Sequence, residues 1–133
     1  MATITHTSSA LTHDIRVEVS PRYHPERSDP AARHWFFSYT VRITNESGQP
    51  ARLISRHWII TDATGREEHV RGPGVVGEQP RLLPGSTFQY TSFCPLPTSM
   101  GTMHGSFQMT WDDGVNFEAE IAPFTLVDPL DCN

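Results

Sequence analysis

Trp35-Phe36-Phe37-Ser38-Tyr39-Thr40-Val41-Arg42-Ile43 is the stretch on which the fold turns. Trp35, Phe37, Tyr39, Val41 and Ile43 fall on one side of a two-residue period, and Phe36, Ser38, Thr40 and Arg42 on the other. Successive strand side chains point to opposite faces, so this alternation in aromatic and β-branched residues describes a half-buried strand. Outward in both directions the same period returns. Ile15, Val17 and Val19 alternate with Arg16 and Glu18. Arg52 to Asp62 sets Ile54, Trp58 and Ile60 on one face and Leu53, His57 and Ile59 on the other. Phe88, Tyr90 and Ser92 continue it, then Met103, Phe107, Met109 and Trp111, then Phe117, Ala119 and Ile121.

Eleven prolines and nine glycines punctuate these runs. No window of about eleven residues keeps an i, i+3, i+4 apolar stripe, so no helix is expected. Turn signals separate the runs at Asn45-Glu46-Ser47-Gly48, Ala63-Thr64-Gly65, Pro84-Gly85 and Asp112-Asp113-Gly114, the last predicting a tight hairpin. The pattern predicts an all-β fold: an antiparallel β-sandwich of the immunoglobulin or fibronectin type III kind, with about seven strands. Pro21–Arg33 and Gly72–Pro84 read as long surface loops. Residues 1–10 and 128–133 read as frayed ends.

A chain of 133 residues, 37% hydrophobic and 19% charged, suits one domain with one core. All ten basic residues are arginines. The absence of lysine excludes P-loop, Schiff-base and Ser–Lys chemistry and the strand lysine of kinases. Net charge is −5, placed unevenly: residues 1–71 carry nine arginines against eight acids, residues 72–133 one against seven. That balance argues against nucleic acid or an anionic membrane as the main partner. No apolar run is long enough to insert in a bilayer, and the first residues lack signal-peptide character. The expected location is cytoplasmic. There Cys94, in a strand, and Cys132, in the tail, should both be reduced.

Gly72-Pro73-Gly74-Val75-Val76-Gly77 matches G-x-G-x-x-G, which in dinucleotide sites brings backbone against pyrophosphate at a helix N-terminus. Pro80 and Pro84 follow closely and no βαβ unit surrounds it, so a structural connection is the leading reading. The alternative is an anion nest of successive amides at Gly72, Gly74 and Gly77, assisted by Arg71. The seven histidines show no H-x-H or H-E-x-x-H spacing, so no metal ligand is assigned. His57 reads as a core or interface histidine. Asp112, Asp113, Asn116 and Glu118 miss the EF-hand spacing. No G-x-S-x-G elbow is present and Cys94 has no neighbouring base, so no catalytic residue is assigned. Phe36 points opposite to Trp35 and Phe37: either its strand is covered on both faces or a large ring is exposed as a protein-binding surface.

The segment Gly72-Pro-Gly-Val-Val-Gly-Glu-Gln-Pro80, with Leu82, Pro84-Gly85, Phe88-Gln-Tyr90, Ser92, Pro95-Leu96, Thr98, Gly101, Met103, Gly105 and Met109, resembles the ApaG family (the ApaG/CorD domain). Arg56-His57-Trp58-Ile59-Ile60-Thr61-Asp62 and Gly65 fit the same pattern, and Phe107 stands where the family often has Tyr. The resemblance spans about residues 3–127 as one domain, leaving 128–133 as a tail. It implies a fibronectin type III-like sandwich in a small bacterial cytosolic protein. Similar domains in eukaryotic multidomain proteins, including an F-box protein and a polymerase-delta-interacting protein, look like protein-interaction modules. Bacterial members are associated with cobalt resistance and magnesium efflux. The family supplies no catalytic residues, and its glycine motif maps onto Gly72, Gly74 and Gly77. The expectation is therefore a non-enzymatic module binding a protein partner, without a cofactor. A pyrophosphate or nucleotide sensor at the glycine loop is the alternative.

Overall fold

The computed structural model describes residues 7–131. Among these residues nine strands form two antiparallel sheets. They are β1 (Ser8–Thr12), β2 (Ile15–Tyr23), β3 (Trp35–Asn45), β4 (Ala51–Asp62), β5 (Glu67–Pro73), β6 (Arg81–Leu82), β7 (Thr87–Leu96), β8 (Met100–Trp111) and β9 (Asn116–Val127). One sheet runs β1-β2-β3-β7 and the other β5-β4-β8-β9, with β6 also paired to β4. No helix among the described residues is long and apolar enough to cross a membrane. The sandwich is the expected one, with more strands than the expected seven. β1, β5 and β6, which lack an alternating apolar signature, are the strands the sequence pattern does not reveal.

The alternating residues become the core. Ile15, Val17, Val19, Phe37, Val41 and Ile43 from the first sheet meet Leu53, Trp58, Met103, Phe107, Met109, Ile121 and Leu126 from the second, all almost fully buried. Trp58 sits edge-on to Tyr39, Phe107 and Phe124, with ring centroids 5.1, 6.3 and 5.9 Å away. On the outward face of β3 and β7, Thr40 bonds Thr91 and Thr44 bonds Thr87 across the strands.

Several expectations need correction. Residues 8–10 are not frayed: they belong to β1, which returns into β2 through His13 and Asp14, both at positive φ. Such a tight turn lacks the Asn-Gly signature that would have revealed it. β2 continues to Tyr23, paired with Phe37, so only residues 24–34 form the loop, with short 3-10 turns at Pro25–Arg27 and Pro30–Ala32. Residues 128–131 are likewise ordered: the Asp128 N–H donates to Ser99 O, the residue is buried, and Pro129–Asp131 form a 3-10 turn. The Asp112-Asp113-Gly114 hairpin closes through a four-residue loop, 112–115, with Trp111 stacked on Phe117 below it. Cys94 is a free, buried thiol, which burial pushes up to about 12. Cys132 lies outside the described residues.

The largest correction is on β4. Ile54 does not share a face with Trp58: Leu53 is buried and Ile54 is 36% exposed. The register against β8 shifts between Leu53 and Ser55, a bulge that lets two residues oppose one. Beyond it the phase reverses, so Arg56, Trp58 and Ile60 point inward.

Asn45 closes the end of the sandwich. Fully buried, it donates through Nδ2 to Gln49 O and Leu82 O at 2.7 and 3.0 Å, and its Oδ1 accepts from Ser47 N and Oγ. Asn45→Asp removes both donors and sets a carboxylate against two carbonyls. Urea unfolding should show a loss of at least ~3 kcal/mol near neutral pH. The deficit relative to wild type should shrink towards about pH 4, where a protonated carboxyl regains one donor. A variant as stable as wild type at neutral pH would contradict this role.

Candidate functional site

The two sheets are joined differently along their two sides. On one side β1 and β2 lie against β9, and the Glu120 N–H donates to Thr12 Oγ1 at 3.2 Å. On the other, β7 and β5 are the outer strands of their sheets, and the seam between them stays open. A cleft of about 370 Å³ lies there, lined by Tyr39, Arg56, Trp58, Pro73, Val75, Val76, Gly77, Tyr90 and Ser92.

The glycine motif forms one lip of this cleft. Val75 and Glu78 exchange backbone hydrogen bonds at 2.8 and 2.9 Å, and Val76 and Gly77 between them have φ of 43° and 81°. Two central residues at positive φ make a type I′ turn, so the motif leads into a hairpin. Gly74, at φ 59°, packs so closely that a Cβ there would lie 2.2 Å from Glu78 O. The Gly74 N–H donates to Ile54 O at 2.8 Å, and Gln79 Nε2 donates to the same carbonyl. The amides of Gly74, Val75 and Glu78 are thus engaged within the protein.

The four candidate residues do not converge. Arg71 pairs in register with His57 on the outward face of β4 and β5, whereas Gly72 pairs with Arg56. It is Arg56 that meets the loop. Its Nη1 donates to Pro73 O and Gly74 O at 3.0 and 2.9 Å. A Cβ on Gly72 would lie 3.1 Å from both terminal nitrogens, so the glycine gives the guanidinium room. Sequence reading misses Arg56 because it lies outside the glycine motif and meets it only through the β4–β5 register, although its parity with Trp58 is a usable signal. Tyr90, on β7, was read only as core. Among the described residues its buried hydroxyl finds no hydrogen-bond partner, and neither does the buried Trp58 Nε1–H. Burial drives the Tyr90 hydroxyl strongly towards its protonated form. Burial also raises Tyr39, opposed by a hydrogen bond with Ser92 and by Arg56.

Two further groupings lie on the outer faces. On the β3–β7 side, residues 24–34 fold over Phe36: Ser28 Oγ donates to His24 O and accepts from the Phe36 N–H. Arg27 stacks 3.9 Å from the Phe36 ring centroid and 5.3 Å from that of Phe93, whose own ring is 52% exposed. Phe36 is thus covered, and Phe93 is the open ring. On the β4–β5 side, His57 Nε2 and His69 Nδ1 are 2.9 Å apart, and His69 Nε2 meets Glu67 at 2.7 Å. Burial, then Arg71 and His69, hold His57 below the ordinary histidine range, with His104 adding to this and Glu118 opposing it. Among the described residues no three His, Cys, Asp or Glu side chains are gathered where they would hold one metal ion.

The family profile described as the ApaG domain matches residues 25–111. "Protein ApaG" of Bordetella pertussis is 56% identical over 117 residues, covering 88% of this chain and 89% of the relative. "Protein ApaG" of Anaeromyxobacter dehalogenans is 52% identical over 126 residues, covering 95% and 99%. A crystal structure of a Bordetella pertussis protein designated ApaA superposes with a TM-score of 0.85 at 56% identity, covering 87% of this chain and 94% of that one. A second X-ray structure, 43% identical, gives 0.86 over 93% of this chain and 94% of its own.

Two predictions follow from this geometry. A β-branched residue at positive φ is strained, so Val76→Asn, which creates the preferred Asn-Gly pair, should raise stability by ~1 kcal/mol. An unchanged or lower urea midpoint would remove the strain argument. For His57, the depressed folded-state pKa means its contribution is intact above the unfolded value and lost as pH falls through the folded one. Wild type should therefore lose more stability than His57→Gln between about pH 7.5 and pH 5.5; parallel curves would exclude the effect.

Proposed function

The chain belongs to the ApaG domain family, and from that premise we propose that it is a non-enzymatic binding module of the cytoplasm that engages a protein partner through the Arg27–Phe36–Phe93 platform. The observation that carries this reading is Phe93, a large ring more than half exposed on the outer face of β7 with a guanidinium stacked beside it. Aromatic and arginine side chains are the residue types that concentrate binding energy at protein interfaces. Here they are pre-arranged: the Ser28 hydroxyl ties the loop to β3, and Arg27 is held over Phe36. Little ordering entropy is left to lose on binding, which favours affinity. In this reading the family's association with cobalt resistance and magnesium efflux belongs to the complex formed with the partner.

Affinity capture with wild type, Phe93→Ser and Arg27→Ala in parallel tests the platform. A specific partner should be retained by wild type and bind Phe93→Ser about 30-fold or more weakly, while the thermal midpoint of the variant stays with wild type. If every captured species binds the variants equally well, the platform is not the interface.

A further inference from the structure

We propose that the cleft between β4–β5 and β7 binds a small organic monoanion, a carboxylate with an aromatic or branched apolar body, held by the free edge of the Arg56 guanidinium. This site is separate from the platform: Tyr90 and Ser92 point into the sandwich from β7, and Phe93 points away from it.

The argument begins with an unbalanced charge. Arg56 is half-buried between the sheets, yet the ion pairs among the described residues, Arg16–Glu46, His24–Glu26, His69–Glu67 and Arg81–Asp112, leave it out. Only its Nη1 is engaged, by Pro73 O and Gly74 O; Nε and Nη2 bond no described residue. A partly desolvated cation with carbonyl partners alone gains from an anion, and a guanidinium edge matches a carboxylate through two parallel hydrogen bonds.

The cleft supplies the remaining chemistry. Tyr90 is 7% exposed and lines the cleft, and its buried hydroxyl has no hydrogen-bond partner among the described residues. Ser92 adds a second hydroxyl, and Tyr39, Trp58, Pro73, Val75 and the exposed Val76 line the remainder. A volume of about 370 Å³ falls in the range of small-molecule pockets. The lip is the strained Val76–Gly77 turn, and backbone strain of this kind is concentrated at ligand clamps.

The same geometry selects against pyrophosphate. A single guanidinium, already shared with two carbonyl oxygens, faces any anion, and the Gly74, Val75 and Glu78 amides are turned to internal acceptors. Arg71 stands on the opposite face. A polyanion would gain one contact and meet the carbonyl dipoles and a chain of net charge −5.

Titration of the isotopically labelled full chain with phenylacetate, followed by amide and indole N–H shifts, is the test. Phenylacetamide, inorganic phosphate and pyrophosphate are run as separate arms. Saturable shifts confined to Trp58, the Val75–Gly77 amides and residues 90–92 are expected, with phenylacetamide and both phosphates at least about tenfold weaker. Arg56→Gln should weaken phenylacetate binding about tenfold or more, and Tyr90→Phe, which leaves the lip contacts intact, about two- to fivefold. Arg42→Gln, the same charge change on an outward position of β3, should bind as wild type. The proposal is overturned if phenylacetate produces no saturable shift at millimolar concentrations, or if phenylacetamide binds equally. It is also overturned if pyrophosphate binds more tightly at the glycine loop, if Arg71→Gln costs as much as Arg56→Gln, or if Tyr90→Phe binds as well as wild type.

Discussion

One extra residue in β4 sets the interior of this sandwich. Side chains alternate across a strand, so two core positions on one strand must be an even number apart unless the pairing slips. Leu53 and Trp58 are both buried and five apart, and the bulge at Ile54 reconciles them. The slip turns Arg56 inward beside Trp58. At the bulge itself the Ile54 carbonyl accepts the Gly74 N–H, the next rung of the β4–β5 register, and also the Gln79 side chain. The glycine loop is thereby fastened to the strand at the point where the strand breaks step. The Leu53 N–H donates to Pro80 O and Arg52 reaches Gln79 O, which extends the attachment along β4.

An inward arginine is tolerable only because the sandwich is open on that side. Where β1 and β2 meet β9, the interior is sealed by Ile15, Val17, Ala119 and Ile121, all at most 1% exposed, and a cation would be stranded there. In the seam between β7 and β5 the guanidinium gives Nη1 to the loop carbonyls, and Arg56 lines the cleft. The loop would lose its anchor without Arg56, and Arg56 would lose its acceptors without the loop. The unpartnered hydroxyl of Tyr90 lies on the same side as this cation.

The sheets were legible in the sequence because burial on one face writes itself as a period of two, and Trp35 to Ile43 keeps that period without error. What was hidden had no such signature. β1 is largely solvent-facing, β6 is two residues long, and β5 has Val70 as its one aliphatic side chain, so none carries an apolar rhythm. The bulge was hidden because Leu53 and Ile54 are interchangeable by composition; only the partner strand decides which faces in. The candidate anion set fails for a separate reason. Arg71 is adjacent to Gly72 in sequence, but adjacency in a strand means opposite faces. The residue that reaches the loop is sixteen positions earlier in the chain, across the β4–β5 register.

The glycines of the motif then acquire a physical reason apart from phosphate. Gly74 is needed because its backbone packs against Glu78 O, and Gly72 because a guanidinium occupies the space a Cβ would take. Arginine and lysine are not interchangeable in such a setting. A flat, delocalised group can lie along the Gly72 backbone, give one nitrogen to two carbonyls and keep another edge free, whereas a compact ammonium must gather its acceptors around one point. The same planarity lets Arg27 cover Phe36 while standing near Phe93. A chain whose ten cations are all arginines uses two of them for contacts that depend on that shape, one at each of the surfaces where a ligand is proposed. Charge complementarity alone would be met by lysine; it is the stacking and the shared carbonyls that require arginine here.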